Sequence, residues 1–272
     1  MKVQVLIATM NQNDMSKVSE MNIQTDAIFA NQSDKYDYEE KLYHFGIVKM
    51  ITTKTRGVGI NRNMALLHAD GDFLLFGDDD VTYKNGYDQI INDAFDEIPN
   101  ADAIIFNVES SDKDSIRKMN NRIKRVRWHN SMSYGAIRIC VRREALFREN
   151  IMFNLNFGGG TLFSSGEDSL FIHDMLKHGL KIFTYPKVIA LVDDDLDKST
   201  WFKGYNEKYY YDKGVLFKTL NKNIPYLLCL QDLLRHSFYK ECNLTFFTAF
   251  HYMRKGIKGQ RFLQKYMDKK EE

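Results

Sequence analysis

Short apolar runs alternate with segments of helical spacing through the first half of the chain, and this alternation limits the folds it can adopt. The runs 2–8, 27–30, 47–51, 72–77 and 103–108 have the length and composition of buried strands. Segments with apolar residues at helical spacing separate several of them. Strands that alternate with helices favour a mainly parallel sheet with helices on both faces. We therefore predict an α/β protein, a three-layer sandwich around a mainly parallel central sheet.

Composition limits the class of protein further. The chain has 272 residues and a formal net charge of +2, which fits a globular protein with its own core. Its three cysteines form an odd set without metal-ligand spacing, which favours a reducing compartment. No apolar run approaches the roughly 20 residues that span a bilayer. We expect a cytoplasmic protein, with peripheral contact to the inner face of the membrane as an option.

Three consecutive aspartates, Asp78, Asp79 and Asp80, follow the fourth predicted strand and Gly77. Carboxylates at the carboxyl end of a buried strand are held rigidly at the edge where open α/β sheets bind ligands. Oxygen donors in that position suit a hard cation such as Mn²⁺ or Mg²⁺, and we take Asp78 and Asp80 as the candidate ligands. The alternative is a solvated acidic turn.

A second acidic pair, Glu167-Asp168, follows Gly166 at the start of a helical pattern. Such a pair can remove a proton from an attacking hydroxyl, with Asp168 as the base and Glu167 as its neighbour. The positive end of the helix dipole favours ionised carboxylates there, so a working base needs burial or a nearby negative charge to raise its pKa. The alternative is a first-turn pair that only stabilises the helix.

The order of these pieces resembles glycosyltransferase family 2, whose members have the A-type (GT-A) fold. Before the aspartates come a Thr-x-Asn loop, a polar turn 31–34 after the second strand, and Arg56-Gly57-x-Gly59-x-x-Arg62-Asn63 at a helix start. The resemblance covers about residues 1–195. Met10 replaces the usual proline, and the turn 31–34 departs from the usual Asp-Asp-Gly-Ser. The Gln-x-x-Arg-Trp motif of processive synthases is missing, which favours a non-processive enzyme.

The resemblance implies a reaction and a set of site residues. The reaction is the transfer of a hexosyl group, with inversion, from a nucleotide-diphospho-sugar to a hydroxyl of a glycan or lipid-linked saccharide. UDP is the expected nucleotide, and bacterial surface polysaccharide synthesis is the expected setting. The candidate residues are Asp168 and Glu167 for catalysis, Asp78 and Asp80 for the metal, and Thr9, Asn11, Asp34, Arg62, Asp78 and Asp79 for the nucleotide-sugar.

The remaining chain reads as an appendage to a catalytic domain of residues 1–195. Residues 196–272 are predicted to be mostly helical and to pack on that domain. Their stretch 227–266 mixes aromatic with basic residues, so contact with another subunit in a homo-oligomer or with an anionic membrane stays open. A second basic stretch, 117–127, is either a solvated face or a phosphate or lipid-headgroup contact.

Two other functional classes are compatible with these sequence features. Acidic clusters at strand ends also occur in metal-dependent nucleotidyl- or phosphoryl-transfer enzymes. A non-catalytic sugar-nucleotide-binding subunit would keep the same fold without turnover. Nucleic-acid binding is disfavoured, because the overall charge is nearly balanced and the basic stretches carry no recognised motif.

Overall fold

The computed structural model describes residues 1–112, 117, 119–193 and 204–259. They form two compact units. Unit 1 contains Met1–Asn156 and the described part of 167–199, and unit 2 contains Phe157–Gly166 and 204–259. The predicted boundary at 195 lies outside the described residues. So do Lys118 of the stretch 117–127 and the part of the stretch 227–266 beyond residue 259.

Unit 1 contains the strands and the first five helices of the described chain. The strands are β1 (Val3–Met10), β2 (Asp26–Gln32), β3 (Asp37–Tyr43), β4 (Gly46–Thr53), β5 (Phe73–Asp78), β6 (Val81–Tyr83), β7 (Ala103–Ser110), β8 (Lys124–Arg125), β9 (Ile139–Arg142) and β10 (Ile182–Val192). The helices are α1 (Lys17–Glu20), α2 (Val58–Leu67), α3 (Tyr87–Glu97), α4 (Arg143–Arg148) and α5 (Glu167–Lys177), and 3₁₀ turns occupy Trp128–Ser133 and Ala136–Arg138.

The strands form one sheet in the order β3-β4-β2-β1-β5-β9-β7-β10-β6, with β8 paired to β10. Strands β4, β2, β1 and β5 are mutually parallel, and β7 is parallel to β10. Because β9 is antiparallel to both β5 and β7, these two groups run in the same direction. The predicted mainly parallel sheet is confirmed.

The sheet separates two apolar cores, which makes unit 1 a three-layer structure. In β1 the side chains alternate, so Val5 and Ile7 belong to one core and Leu6 to the other. Helices α1 and α3 cover the first core, with Phe95 of α3 stacked on Phe73 at 4.0 Å between ring centroids. Helices α2, α4 and α5 cover the second core.

Two differences from the predicted elements have a clear cause. Strand β3 was not predicted because six of its seven residues are exposed and the strand lies at the edge of the sheet, so it lacks an apolar face. The second difference concerns residues 181–184 and 188–192, which the sequence pattern predicts as two strands around Pro186. In the structure they form a single strand, β10. Its pairing with β7 shifts register between Thr184 and Val188, and a proline without an N–H is tolerated at such an irregularity.

The parallel strands place their carboxyl ends at one edge of the sheet. Ala8 of β1 is level with Asp78 of β5, and Met10 is level with Gln32 of β2. Gln32 is in turn level with Thr53 of β4. The polar loops that follow β1, β2 and β4 and the aspartates that follow β5 therefore share this edge, which is where open α/β sheets bind ligands.

Unit 2 contains α6 (Glu207–Leu220), α7 (Pro225–Arg235), a 3₁₀ turn (Phe238–Cys242) and α8 (Phe246–Lys258). The segment Phe157–Gly166 is tied to α6 through Asp212, which is 2% exposed. The Asp212 carboxylate accepts hydrogen bonds from the Ser164 N–H and hydroxyl, both at 3.0 Å, and from Lys208 Nζ at 2.6 Å. None of the described helices in either unit is long and apolar enough to cross a membrane.

Helices α6 and α8 touch backbone to backbone at two glycines. A Cβ placed on Gly214 would lie 2.0 Å from the Met253 carbonyl oxygen, and one on Gly256 would lie 2.1 Å from the Tyr211 carbonyl oxygen. Neither neighbour is the flexible end of a side chain. The helices can therefore keep this distance only with glycine at both positions.

Replacement of Gly214 by alanine should destabilise unit 2. The added methyl forces α6 and α8 apart, which we expect to cost about 1–3 kcal/mol of unfolding free energy, more than the gain in helix propensity. Urea unfolding followed by circular dichroism measures this change. Thr219→Ala, at an exposed position of the same helix, is the control and should change stability by less than about 0.5 kcal/mol. Equal stabilities for the two variants would contradict the close contact.

Candidate functional site

The guanidinium of Arg62 lies at the centre of the candidate site and joins carboxylates from two elements. Nη2 donates to Asp78 Oδ1 at 3.0 Å, at the end of β5. Nη1 donates to Asp168 Oδ1 at 2.6 Å and to Glu167 Oε1 at 3.4 Å, at the start of α5. The Arg62 side chain is only 4% exposed. The structure therefore brings the aspartate cluster and the later acidic pair together at one place.

Helix α2 is fixed in position, and this fixes Arg62. Asn63 exchanges two hydrogen bonds with the backbone of Phe153, at 2.9 and 2.8 Å. Gly59 allows α2 to lie close to the backbone at Asn154, because a Cβ on Gly59 would lie 2.6 Å from the Asn154 carbonyl oxygen. The Arg62 guanidinium lies 5.3 Å from the centroid of the Phe153 ring. These contacts set the side chain that bridges the acidic groups.

The charge balance around Arg62 is unequal, since three carboxylates surround one guanidinium. Burial by itself lowers the pKa of Arg62, but the charges of Asp78, Asp168 and Glu167 outweigh it and raise the pKa above its usual range. The arginine is therefore charged at every pH at which the protein is folded. With all three carboxylates ionised the cluster carries an excess of negative charge, which favours a cation or a proton nearby.

Glu167 takes up a proton more readily than an ordinary glutamate does. Burial raises the pKa of Glu167 to about 7, and the charge of Asp168 adds to the rise while Arg62 opposes it. Its side chain is 14% exposed. Glu167 therefore keeps its proton to a higher pH than a solvent-exposed glutamate does.

Asp168 is oriented through both of its oxygens. Oδ1 accepts from Arg62, and Oδ2 accepts from the backbone N–H of Ala136 at 2.9 Å. The side chain is 25% exposed, so a small molecule can reach it. Each carboxylate oxygen has a second lone pair, which leaves Asp168 free to accept a further hydrogen bond from a hydroxyl.

The other two aspartates of the triplet have different surroundings. Asp79 accepts a hydrogen bond from the Thr9 hydroxyl at the end of β1 and another, at 3.5 Å, from Gln12 Nε2. Asp80 is exposed as a residue, but its carboxyl group is partly shielded from water. This desolvation, followed by the charges of Asp78 and Asp79, raises the pKa of Asp80 to about 6.

The donors at this edge fit a hard cation that completes its shell with other oxygens. No three His, Cys, Asp or Glu side chains among the described residues form a ready-made metal cluster. Asp78 is shared with Arg62, whereas Asp80 is exposed. Mg²⁺ and Mn²⁺ in nucleotide sites are often held by one or two carboxylates together with substrate phosphates and water. Asp80, with Asp78 beside it, meets that requirement.

Two of the predicted nucleotide residues lie at the same edge without joining the cluster. Asn11 is exposed, has a positive φ of 56°, and donates its N–H to the Gln32 carbonyl at 2.8 Å. Asp34 has a side chain that is 96% exposed and pairs with Arg56 Nη2 at 2.7 Å. Their proposed contacts with a nucleotide stay predictions.

Several residues that shape the site were not singled out from the sequence. Asn31 is fully buried, and its amide group bonds the backbone of Gln12 twice, at 3.0 and 2.9 Å. Asn61 donates to the Thr9 carbonyl at 3.0 Å. These amides hold the loop after β1 in place. The only sequence signal for Asn31 was that a polar residue directly follows the predicted strand 27–30, and in the structure Asn31 belongs to β2.

The order of the strands in the sheet and the carboxylates at its edge define the fold class of the protein. The chain has the GT-A fold of nucleotide-diphospho-sugar transferases, with helices added at its C-terminal end. The model of glycosyl transferase family 2 matches residues 25–180, more than half of the chain. This chain belongs to glycosyl transferase family 2. A search of curated protein sequences gave no match.

Solved structures of S. aureus TarS share the fold. TarS 1–349 in complex with UDP-GlcNAc aligns with a TM-score of 0.62 and 17% identity, covering 81% of this chain and 67% of that chain. TarS 1–349 in complex with UDP gives 0.60 and 16%, with 87% and 72% coverage. For TarS itself the values are 0.57 and 17%, and this chain spans 40% of its length. Identities this low show a common fold.

The raised pKa of Glu167 predicts an unusual pH dependence of stability. The unfolded carboxyl has a pKa near 4.5 and the folded one near 7, so the folded state binds more protons between these values and loses stability as the pH rises through them. Glu167→Gln cannot ionise and avoids this loss. We expect the variant to be more stable than the parent at pH 8, by about 3 kcal/mol, and the difference to shrink towards pH 4.5.

Urea unfolding at a series of pH values measures this difference. Glu144→Gln, at an exposed position of α4, serves as the control and should leave the pH profile unchanged. A Glu167→Gln variant whose stability relative to the parent does not depend on pH would exclude the assigned pKa.

Proposed function

We propose that this chain is an inverting, non-processive glycosyltransferase. It transfers a sugar from a nucleotide-diphospho-sugar, with UDP as the nucleotide, to a hydroxyl group of a glycan or lipid-linked acceptor in bacterial surface polysaccharide synthesis. Membership of glycosyl transferase family 2 supports the class of reaction. The UDP-GlcNAc and UDP complexes of TarS support a UDP-sugar as the donor.

The observation that carries the proposal is the ion-pair cluster around Arg62. Transfer of a sugar needs a group that holds the leaving diphosphate and a group that takes the proton of the attacking hydroxyl. Asp78 belongs to the predicted donor site and Asp168 is the predicted base. One guanidinium contacts both, at 3.0 and 2.6 Å. The two functions are therefore within reach of a single bound donor.

Asp168 acts as the general base in this proposal. The Ala136 N–H and Arg62 orient the Asp168 carboxylate. A remaining lone pair of that carboxylate accepts a hydrogen bond from the hydroxyl of the acceptor substrate. Attack on the face of the sugar opposite the leaving diphosphate inverts the anomeric centre. Glu167 lies beside the base, and its partly protonated carboxyl keeps the local negative charge low while it orients the acceptor.

The donor binds at the carboxyl ends of β1, β2 and β5. Thr9 and Asp79 already share a hydrogen bond there, and we assign them to the nucleoside together with Asn11 and Asp34. Arg62 acts on the donor through the carboxylates that it orients. A Mn²⁺ or Mg²⁺ ion held by Asp80 and Asp78 would supply a Lewis acid for the charge that develops on the diphosphate.

Asp168→Asn should abolish most of the turnover and leave donor binding intact. Water can replace the unidentified acceptor, so the measurement is the slow release of UDP from UDP-sugars. We expect the rate to fall by roughly 10²–10⁴, the usual contribution of a general base. The thermal shift caused by UDP should equal that of the parent. Asp96→Asn, on the exposed face of α3, is the matched control and should keep full activity.

Full activity of Asp168→Asn would exclude Asp168 as the general base.

Comparison of UDP-sugars with nucleoside triphosphates as substrates tests the class of reaction. Release of pyrophosphate from a triphosphate, with no UDP released from any UDP-sugar, would instead favour a nucleotidyltransferase.

Asp80→Asn should reduce the effect of a divalent cation on UDP binding. In the parent we expect Mn²⁺ to increase the thermal shift given by UDP, and EDTA to remove that increase. A tenfold loss of affinity in the variant corresponds to about 1.4 kcal/mol and lowers the Mn²⁺-dependent part of the shift by roughly 3 °C. The shift without Mn²⁺ should be unchanged. A parent that responds to UDP equally with Mn²⁺ and with EDTA would argue against a metal at this site.

A further inference from the structure

Strand β3 lies at the edge of the sheet and has one open side. It pairs with β4 on its inner side, and no strand of the described chain pairs with its outer side. Six of its seven residues are exposed, so the described parts of the chain leave this edge accessible. The backbone N–H and C=O groups on the outer side of β3 can therefore bond to a further strand.

The edge carries large apolar side chains that water solvates poorly. Tyr38 and Leu42 project from the same face of β3 and are 57% and 78% exposed. Ile47 of β4 is opposite Leu42 and is 39% exposed, so it extends this apolar surface. Charged side chains keep many edge strands unpaired, whereas exposed apolar side chains favour a partner. The charges of β3 therefore decide which partner it can take.

The sequence of β3 is complementary to itself in antiparallel order. When two copies of the strand share a two-fold axis at Glu40, Glu39 of each copy lies opposite Lys41 of the other. In the same register, Tyr38 of each copy lies opposite Leu42 of the other. Directly opposed residues of opposite charge, and directly opposed apolar residues, stabilise antiparallel strands. The symmetry makes every favourable pair occur twice.

The like-charge pair of this register is compensated within each copy. Glu40 lies opposite Glu40 of the other copy at the two-fold axis. Lys49 of β4 is opposite Glu40 in the same chain and therefore on the same face of the sheet. The Tyr38 hydroxyl also donates to Glu40 Oε2 at 2.5 Å. Across the joined sheet, two lysines thus flank the two glutamates and balance their charge.

We propose that this chain forms a two-fold symmetric dimer through β3, in which the two sheets join into one continuous sheet. A strand from a different protein would need to match Glu39 and Lys41 in antiparallel order, and a second copy does so by symmetry. The dimer goes beyond the proposed function and does not rest on it. Strands β4, β2 and β1 separate β3 from β5, which carries Asp78 of the candidate site.

Two charge reversals test this register by analytical ultracentrifugation. The parent should sediment as a dimer. Lys41→Glu turns the pair with Glu39 into a repulsive pair at both symmetry-related positions, and Glu39→Lys does the same with positive charges. Each variant alone should raise the dissociation constant of the dimer at least about tenfold.

An equal mixture of the two variants should restore the dimer. In a mixed pair, one copy carries two negative charges at positions 39 and 41 and the other carries two positive charges, so every opposed pair is attractive again. The controls Lys177→Glu and Glu144→Lys make the same charge changes at exposed positions of α5 and α4. These controls should remain dimers, both alone and mixed.

Cysteine cross-linking tests the position of the two-fold axis. Glu40→Cys places two thiols at directly opposed positions, with a Cα separation of about 4.5–5.5 Å that suits a disulfide. Oxidised glutathione should convert this variant into a covalent dimer on a non-reducing gel. Gln89→Cys, at an exposed position of α3, is the matched control and should stay monomeric on the gel, as should the parent with its natural cysteines.

Three results would overturn the proposal. One is a parent that sediments as a monomer at every concentration tested. Another is a dimer that Lys41→Glu leaves unchanged, because such a dimer uses a different surface. The third is a mixture of the two charge variants that stays monomeric although both variants keep the thermal shift with UDP and are therefore folded. A parent without any response to UDP-sugars would count against the proposed function and not against the dimer.

Discussion

One buried guanidinium holds together acidic groups that the chain supplies from positions about ninety residues apart. Arg62 is almost completely enclosed, and three carboxylates share its charge. An uncompensated carboxylate in such a place costs several kcal/mol, so neither β5 nor the start of α5 can move away without a penalty. The excess of negative charge leaves the edge of the sheet prepared for a proton, a metal ion or both. The arrangement of the site depends on this ion-pair cluster.

The sequence predicted the parts of the fold in which burial follows a simple period. Strands β1, β2, β4, β5 and β7 are recognisable because apolar side chains fill both of their faces. Strand β3 has no such signal, since an exposed edge strand needs only backbone hydrogen bonds from β4. Pro186 appeared to divide a strand, yet a register shift accommodates it. Apolar periodicity does not predict a strand whose structure depends on backbone pairing instead of side-chain burial.

The site shows the same division. Asp78 and Asp168 were found from their positions after a strand and at the start of a helix, and the structure brings them to one cluster. The role of Arg62 as their common counter-ion was not predicted, because its partners are 16 and 106 residues away. The N–H of Ala136 leaves no mark on the sequence at all, since every residue except proline offers one. Side-chain types can be read from a sequence, whereas backbone donors require coordinates.

The path of the chain between the two units has a consequence for how this architecture can vary. The polypeptide leaves unit 1 after Asn156, contributes Phe157–Gly166 to unit 2, and returns at Glu167. The chain therefore re-enters unit 1 at the first residue of the acidic pair. Asp212 of α6 holds the inserted segment through Ser164. Recombination at one junction therefore cannot exchange the helical module for another. A replacement for the C-terminal helices of unit 2 must also come with a matching replacement for the segment Phe157–Gly166. These two parts of the chain are therefore expected to evolve together.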